Sequence, residues 1–113
     1  MDTRVFIEDR DIDWEATGPG VKRKIMAWDE RVMLVKVAFE KDSIGYLHKH
    51  YHTQITHIAA GSFEVTIGKE KKILKSGDAF YIPPNEEHGV VCLEEGMLID
   101  VFSPYREDFV QKS

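Results

Sequence analysis

GYLHKHYHTQITHIAAG, residues 45–61, holds four of the five histidines in the chain. Within it His48, His50 and His52 stand at every second position, just before a run that is typical of a β-strand. In an extended segment alternate side chains share a face, so His48 and His50 can point together at one ion. Imidazole is the commonest protein ligand for first-row transition metals. The stretch therefore predicts one wall of a metal site.

A second stretch, GDAFYIPPNEEH at residues 77–88, brings the fifth histidine, His88, to the end of another predicted strand. If the two strands are neighbours in space, three imidazoles converge on one point. A lone histidine is more often a surface or core residue than a ligand, so the prediction depends on the three occurring together.

Length and composition indicate one globular domain. A chain of 113 residues can bury a core, and 42% hydrophobic and 31% charged residues are ordinary values for a soluble protein. The net charge of −5 argues against nucleic acid or an anionic membrane surface as the main partner. Because the single Cys92 cannot form an internal disulfide and neither a signal peptide nor a membrane span is evident, we expect a cytoplasmic protein.

Short apolar runs separated by turn residues predict an all-β fold. We predict strands over residues 21–28, 32–39, 55–59, 63–67, 72–74, 79–82, 89–93 and 97–102, with turns at Gly61 and at residues 94–96 among others, and a helical turn after Pro104. Such spacing indicates a sandwich or a barrel. A break at Gly18-Pro19-Gly20 divides an N-terminal arm, residues 1–19, from one domain, residues 20–113.

The two histidine stretches resemble the two motifs of the cupin superfamily. Gly45-x2-His48-x-His50-x3-Gln54-x6-Gly61 is similar to the first motif, and Gly77-x5-Pro83-x4-His88 is similar to the second. The resemblance implies a small single-domain cupin, a double-stranded β-helix that is a form of jelly-roll barrel. Carried over position by position, it also implies that one divalent ion is bound by His48, His50, Gln54 and His88.

Gln54 stands where most metal-binding cupins have a glutamate. A neutral amide leaves the ion with its full double positive charge, so the site should attract an anionic ligand. The site also lacks the carboxylate that helps to stabilise a higher oxidation state, which argues against an oxygenase without excluding one. His52 is expected to lie behind the ligands or at the surface. His57, inside a predicted strand, is expected in the cavity wall or the core.

Asp100 is a carboxylate within an apolar predicted strand, on the same face as Leu98 and Phe102. Ionisation there is costly without a partner, so Asp100 is either half of a structural ion pair or an acid/base near the ion. Arg106 follows closely. It is either a solvated surface charge or a partner for a substrate carboxylate.

Four segments resemble the KdgF family of pectin-degradation cupins and span about residues 20–109. They are GVKRKIMA (20–27), HYHTQIT (50–56), YIPPNEEHGVVCLE (81–94) and DVFSPYREDF (100–109). In that family glutamine is the usual fourth ligand. The resemblance implies conversion of 4,5-unsaturated uronates, released by pectate and alginate lyases, into linear 5-keto-4-deoxyuronates. It also implies that Asp100, Phe102 and Arg106 belong to the active site, whereas Tyr105 and His57 differ from the family pattern.

The resemblance to the KdgF family therefore implies an isomerase-type enzyme that linearises unsaturated uronates. It would use one divalent ion (Mn, Fe, Ni or Zn) and take a small anionic sugar of pectin or alginate origin. Asp100 would carry the proton, Arg106 and the ion would hold the carboxylate and developing enolate, and Phe102 would exclude water. The alternatives are a sugar-acid-binding cupin without turnover, a cupin dioxygenase and a storage-type cupin. Because an open jelly roll has edges to protect, we expect a homodimer.

Overall fold

The structure, a computed structural model, describes residues 4–110. Eight strands make up most of it: β1 (Glu15–Gly18), β2 (Val21–Trp28), β3 (Met33–Phe39), β4 (Ile44–His48), β5 (Thr53–Ile67), β6 (Glu70–Lys75), β7 (Ala79–Ile82) and β8 (His88–Ser103). A 3-10 turn at Asp9–Asp11 precedes them and a four-residue helix, α1 (Glu107–Val110), follows. The predicted all-β class and the predicted helical turn after Pro104 are both confirmed.

Two long strands, β5 and β8, organise the barrel. They pair with each other in antiparallel fashion from Thr53 opposite Ser103 to Ile67 opposite His88. The first half of β5 also pairs with β7, and its second half pairs with β6. The first half of β8 pairs with β4, and its second half pairs with β3, which continues into β2 and β1. Two sheets therefore share both long strands, as the predicted double-stranded β-helix requires.

The predicted turns at Gly61 and at residues 94–96 were wrong, because both strands continue through these positions. Gly61 has a φ of 83°, in the left-handed region that favours glycine, and the pairing register shifts on both sides of it. A Cβ atom at Gly61 would overlap the carbonyl groups of Glu94 and Glu95, and one at Gly96 would overlap the carbonyl of Ala60. Both strands therefore bend at a backbone contact that only glycine permits.

The interior contains two apolar clusters with polar side chains between them. The first cluster is Phe39, Ile58, Phe63, Val65, Phe80, Ile82, Cys92 and Leu98, and the second is Met33, Val35 and Phe102. Along β8, Leu98 belongs to the first cluster and Phe102 to the second, and Asp100 lies between them on the same face. The carboxyl group is thus placed inside the barrel by the two-residue period of the strand.

The predicted N-terminal arm contributes one strand to the fold. β1 pairs with β2, and Glu15 lies directly opposite Arg23. Residues 1–3 and 111–113 lie outside the described residues, and the division of the chain at residue 20 stays a prediction. Over residues 4–110 the structure contains no helix with the length and apolar character needed to cross a membrane. The cytoplasmic location and the homodimer stay predictions.

Candidate metal centre and adjoining acid

Three of the predicted ligands meet at one end of the barrel. The nearest ring nitrogens of His48, His50 and His88 all lie within 4.8 Å of one another. His48 ends β4 and His88 begins β8, where the two are cross-strand partners. His50 lies beyond the end of β4, in the segment that leads to β5. The imidazoles therefore converge as expected, although a bend after β4, and not a continuous extended face, brings in His50.

Backbone carbonyls determine the tautomers of two imidazoles. Nδ1 of His48 lies 2.8 Å from the carbonyl oxygen of Tyr46, and Nδ1 of His88 lies 2.9 Å from that of Glu86. Because a carbonyl oxygen only accepts hydrogen bonds, each Nδ1 carries a hydrogen and each Nε2 keeps its lone pair. Nε2 of His88 is buried and has no hydrogen-bond partner among the described residues. A buried nitrogen with a free lone pair suits metal ligation.

Burial keeps the imidazoles of His50 and His88 neutral. It is the largest cause that lowers the pKa of His50, to about 4, and the positive charge of Arg106 lowers it further. Burial also lowers the pKa of His88. Only the neutral form of imidazole can bind a metal, so the site is prepared for an ion at neutral pH.

Gln54, on the inward face of β5, presents an oxygen to the same point. Its Oε1 lies 3.1 Å from Nε2 of His50, and its Nε2 donates to Oγ1 of Thr56 at 2.9 Å. Thr56 in turn donates to Oδ1 of Asp100 at 2.7 Å. Because the threonine hydroxyl has one hydrogen and gives it to the carboxylate, it must accept from Gln54, and this orients the amide oxygen towards the imidazoles. Three imidazole nitrogens and one amide oxygen form a donor set that suits a first-row divalent ion.

Asp100 lines the same cavity as His48, Gln54 and His88. Burial, the largest effect, raises the pKa of Asp100 to about 6, while the hydrogen bond from Thr56 and the charge of Arg106 act in the opposite direction. Asp100 forms no ion pair with any described residue, so the structural ion pair considered from the sequence is absent in this part of the chain. A carboxyl group with such a pKa can exchange a proton near neutral pH.

Arg106 lies in the cavity wall and is almost fully buried. Its Nε and Nη2 donate to the two carboxylate oxygens of Asp108, at 3.1 and 2.9 Å. Its guanidinium carbon lies 4.2 Å from the ring centroid of Phe109 and 5.2 Å from that of Phe102. The solvated surface charge considered from the sequence is therefore wrong, and this arginine is held rigidly beside the site.

The cavity, of about 180 Å³, has apolar walls and a few polar groups. Phe80, Leu98 and Phe102 line it together with His48, Gln54, His88, Asp100, Arg106 and Arg23. Sequence reasoning missed Arg23. The signal was available, because Arg23 lies two residues from both Val21 and Ile25 along β2 and so shares their predicted inward face.

The remaining two histidines lie outside the group of three. His52 is buried, and its Nε2 lies 3.0 Å from the carbonyl oxygen of Tyr105, so it lies behind the ligands and fixes the segment that follows β8. His57 is exposed on the outer face of β5. The expectation of a cavity-wall or core residue was wrong, because Gln54 and Thr56 face inwards and the two-residue period directs His57 outwards.

Comparisons with known proteins agree with this architecture. Residues 35–102 match the cupin domain family. The pectin degradation protein KdgF of Dickeya dadantii strain 3937 is 56% identical over 109 residues, covering 95% of this chain and 98% of the relative. The structure of KdgF from Halomonas sp. has a TM-score of 0.90 and 40% identity, covering 95% of this chain and 99% of that one. An RmlC-like cupin from Shewanella frigidimarina has a TM-score of 0.91 and 39% identity, covering 95% and 96%. The chain therefore belongs to the cupin family and, within it, to the KdgF family.

Proposed function

We propose that this protein is a metal-dependent isomerase that converts 4,5-unsaturated uronates from pectin or alginate breakdown into linear 5-keto-4-deoxyuronates. The observation that carries the proposal is the cavity lined by His48, His88, Gln54 and Asp100, beside which His50 completes the group of three imidazoles. Thr56 joins Gln54 to Asp100 through two hydrogen bonds. The relationship to a pectin degradation protein supports a sugar acid as the substrate.

His48, His50, Gln54 and His88 would hold the divalent ion. When bound, such an ion supplies Lewis-acid stabilisation of negative charge on a substrate oxygen. A donor set without a carboxylate leaves that positive charge undiminished, which favours an anionic substrate over a neutral sugar.

Asp100 would move the proton. An unsaturated uronate is a cyclic hemiacetal whose ring oxygen is also an enol-ether oxygen. Ionised Asp100 removes the anomeric hydroxyl proton, the C1 carbonyl forms, and the bond from C1 to the ring oxygen breaks. The electron pair stays on that oxygen as an enolate at C5, and return of the proton to C4 gives the ketone. Atoms and electrons balance, so the reaction needs no oxidant.

Arg106 and Phe102 would support this step. The guanidinium of Arg106 lowers the pKa of Asp100, so part of the carboxyl population is ionised and able to accept a proton. Its positive charge, oriented by Asp108, also stabilises a developing enolate in the same cavity. The buried ring of Phe102 excludes water, which strengthens these electrostatic interactions.

The test follows the absorbance of the unsaturated uronate at about 235 nm, where a conjugated C4=C5 unsaturated acid absorbs. Pectate or alginate is digested to unsaturated monomer, and the loss of absorbance is compared with and without the protein. We expect faster loss with the protein, suppression by a chelator and recovery when a divalent ion is returned.

Unchanged loss of absorbance with a metal-loaded protein would contradict the isomerase proposal and favour a sugar-acid-binding cupin. Oxygen consumption during turnover would instead favour a dioxygenase. Comparing monomers from pectate and from alginate identifies the preferred substrate, since the two differ in the configuration of the sugar.

A further inference from the structure

Arg23 is a charged residue on the inward face of a barrel strand. It stands opposite Val37 in the pairing of β2 with β3, and both residues line the cavity that His48 and His88 also line. Only 19% of its side chain is exposed. A guanidinium in an apolar wall is costly unless its charge and its donors are used.

One side of this guanidinium is already occupied. Its Nε donates to Oε1 of Glu15 at 2.8 Å, and its central carbon lies 3.9 Å from the ring centroid of Phe109. Nη1 and Nη2 have no hydrogen-bond partner among residues 4–110. These two nitrogens form the end of the planar fork that can bind both oxygens of a carboxylate.

Arg106 presents the opposite arrangement. Asp108 already occupies its Nε and Nη2 with both carboxylate oxygens, which is the bidentate geometry that a substrate carboxylate would otherwise take. Both guanidinium carbons lie within 4.2 Å of the ring centroid of Phe109, so the two arginines belong to one site. Arg106 supplies fixed positive charge beside Asp100, whereas Arg23 has a pair of donors to offer.

We infer that Arg23 binds the carboxylate of the sugar acid through Nη1–H and Nη2–H. The inference rests on the proposed function for the identity of the ligand as a uronate, and it assigns the recognition of the carboxylate to β2. Glu15 then holds the guanidinium in orientation while leaving the two donors free. Uronates are selected over neutral sugars because a sugar without the carboxylate leaves these donors unpaired.

The competing explanation is that Arg23 only connects β1 to β2 and supports Phe109. Two variants separate the explanations. Glu15→Gln weakens the ion pair between β1 and β2 and removes the negative charge beside the guanidinium, but it leaves both Nη groups of Arg23 in place. Arg23→Lys keeps the charge but loses the fork. A structural role predicts that Glu15→Gln and Arg23→Gln have similar effects, whereas carboxylate binding predicts effects in opposite directions.

The experiment measures binding of D-galacturonate and of D-galactose, which has a hydroxymethyl group in place of the carboxylate, by calorimetry at equal metal loading. Arg23→Gln should weaken galacturonate binding about tenfold or more, or about 1.4 kcal/mol, without changing galactose binding. Arg23→Lys should fall between it and the wild type, and Glu15→Gln should bind galacturonate as well as the wild type or better. Lys22→Gln is the matched control, because Lys22 is the next residue of β2, faces outwards and carries the same charge.

Equal galacturonate affinities for Arg23→Gln and Lys22→Gln would overturn the inference, as would a wild type that does not prefer galacturonate to galactose. Parallel losses in Glu15→Gln and Arg23→Gln would overturn it in favour of the structural role. The absorbance assay separates this result from the proposed function. A wild type that binds galacturonate through Arg23 but does not accelerate loss of the unsaturated uronate refutes the enzyme and keeps the carboxylate site.

Discussion

The hydroxyl group of Thr56 connects the metal ligands to the acid. It accepts a hydrogen bond from the amide of Gln54 and donates one to Asp100. Both neighbours depend on it for their orientation, since Thr56 is fully buried and water is excluded there. A residue outside the donor set thus sets the orientation of both the Gln54 amide and the Asp100 carboxyl group.

Thr56→Val should weaken the site while preserving its shape. The substitution leaves the Gln54 amide and an oxygen of Asp100 without a partner, which costs on the order of 1–3 kcal/mol of folding free energy. We also expect roughly a tenfold loss of metal affinity, because Gln54 can then rotate. Denaturant unfolding and a metal titration measure the two effects. Thr66→Val, in the same strand, is the control, and an equal effect there would refute the connecting role.

Asp100 should make the stability of the metal-free protein depend on pH. Its pKa in the fold is raised to about 6, above the ordinary aspartate value, so the folded state holds the proton more tightly than the unfolded state. The contribution of Asp100 to the free energy of unfolding is therefore fully present at low pH and is lost as the pH rises through about 6. Relative to Asp100→Asn, which cannot ionise, the wild type should lose stability between about pH 4 and 6. Urea unfolding of both proteins with chelator present tests the sign, and a constant difference would contradict it.

Asp100→Asn should also decrease turnover strongly without loss of the metal. The amide keeps the size and an acceptor oxygen for Thr56 but cannot take a proton at neutral pH. We expect a decrease in kcat of about a hundredfold or more, the usual contribution of general base catalysis. Elemental analysis of the metal content controls for a damaged site. Retained activity would assign the proton to another group.

Most of the site could be predicted from residue spacing and family resemblance, but the role of Arg23 and the position of His57 could not. His48, His50, Gln54 and His88 occupy motif positions, and the structure brings them together. The inward position of Arg23 could be predicted from the alternation along β2. Its role could not, because it depends on which donors Glu15 leaves free, and a sequence contains no such distances. His57 was placed wrongly because the face of a strand depends on its register, and a one-residue shift reverses it.

At the scale of the strands, the close backbone contact between β5 and β8 at Gly61 and Gly96 determines how the two sheets are joined. Most of the strand segments were predicted from the sequence, but β5 and β8 were each predicted as two separate strands. Glycine and paired glutamates are typical of turns, and local propensity contains no information that two backbones touch there. The contact between Gly61 and the backbone of residues 94–96 is a property of the assembled barrel.

Gly61→Ala should destabilise the fold strongly. A left-handed φ costs a residue with a Cβ atom about 1–2 kcal/mol, and the new methyl group overlaps the backbone of β8. The total loss in free energy of unfolding should exceed about 2 kcal/mol. Gly18→Ala is the control, because a Cβ atom there meets no atom within 4 Å. Equal unfolding midpoints in denaturant for the two variants would show that the backbone contact at Gly61 tolerates a side chain.

At the scale of the whole molecule, the donor atoms come from β4, from the segment after it, from β5 and from β8. An ion at this point would connect both sheets, and an ion that binds only the folded state shifts the unfolding equilibrium. A bound ion should therefore act as a structural link in addition to the chemical role proposed for it.

Addition of Mn²⁺, Ni²⁺ or Zn²⁺ at about 100 times its Kd should raise Tm on the order of 10 °C. The shift, measured by calorimetry against the same protein in chelator, should vanish in His88→Ala. It should persist in His57→Ala, because that imidazole is exposed outside the cluster. A similar shift in all three proteins would indicate binding elsewhere.

The long strands also make the molecule indivisible. Each sheet has half of β5 and half of β8 as its central strands, so a continuous gene fragment for either sheet must encode all of β5 and at least the first half of β8. Either fragment contains both Gln54 and His88. The two sheets are therefore not modules that recombination could exchange separately, and variation between related chains would be confined to single positions, to the loops and to the outer strands.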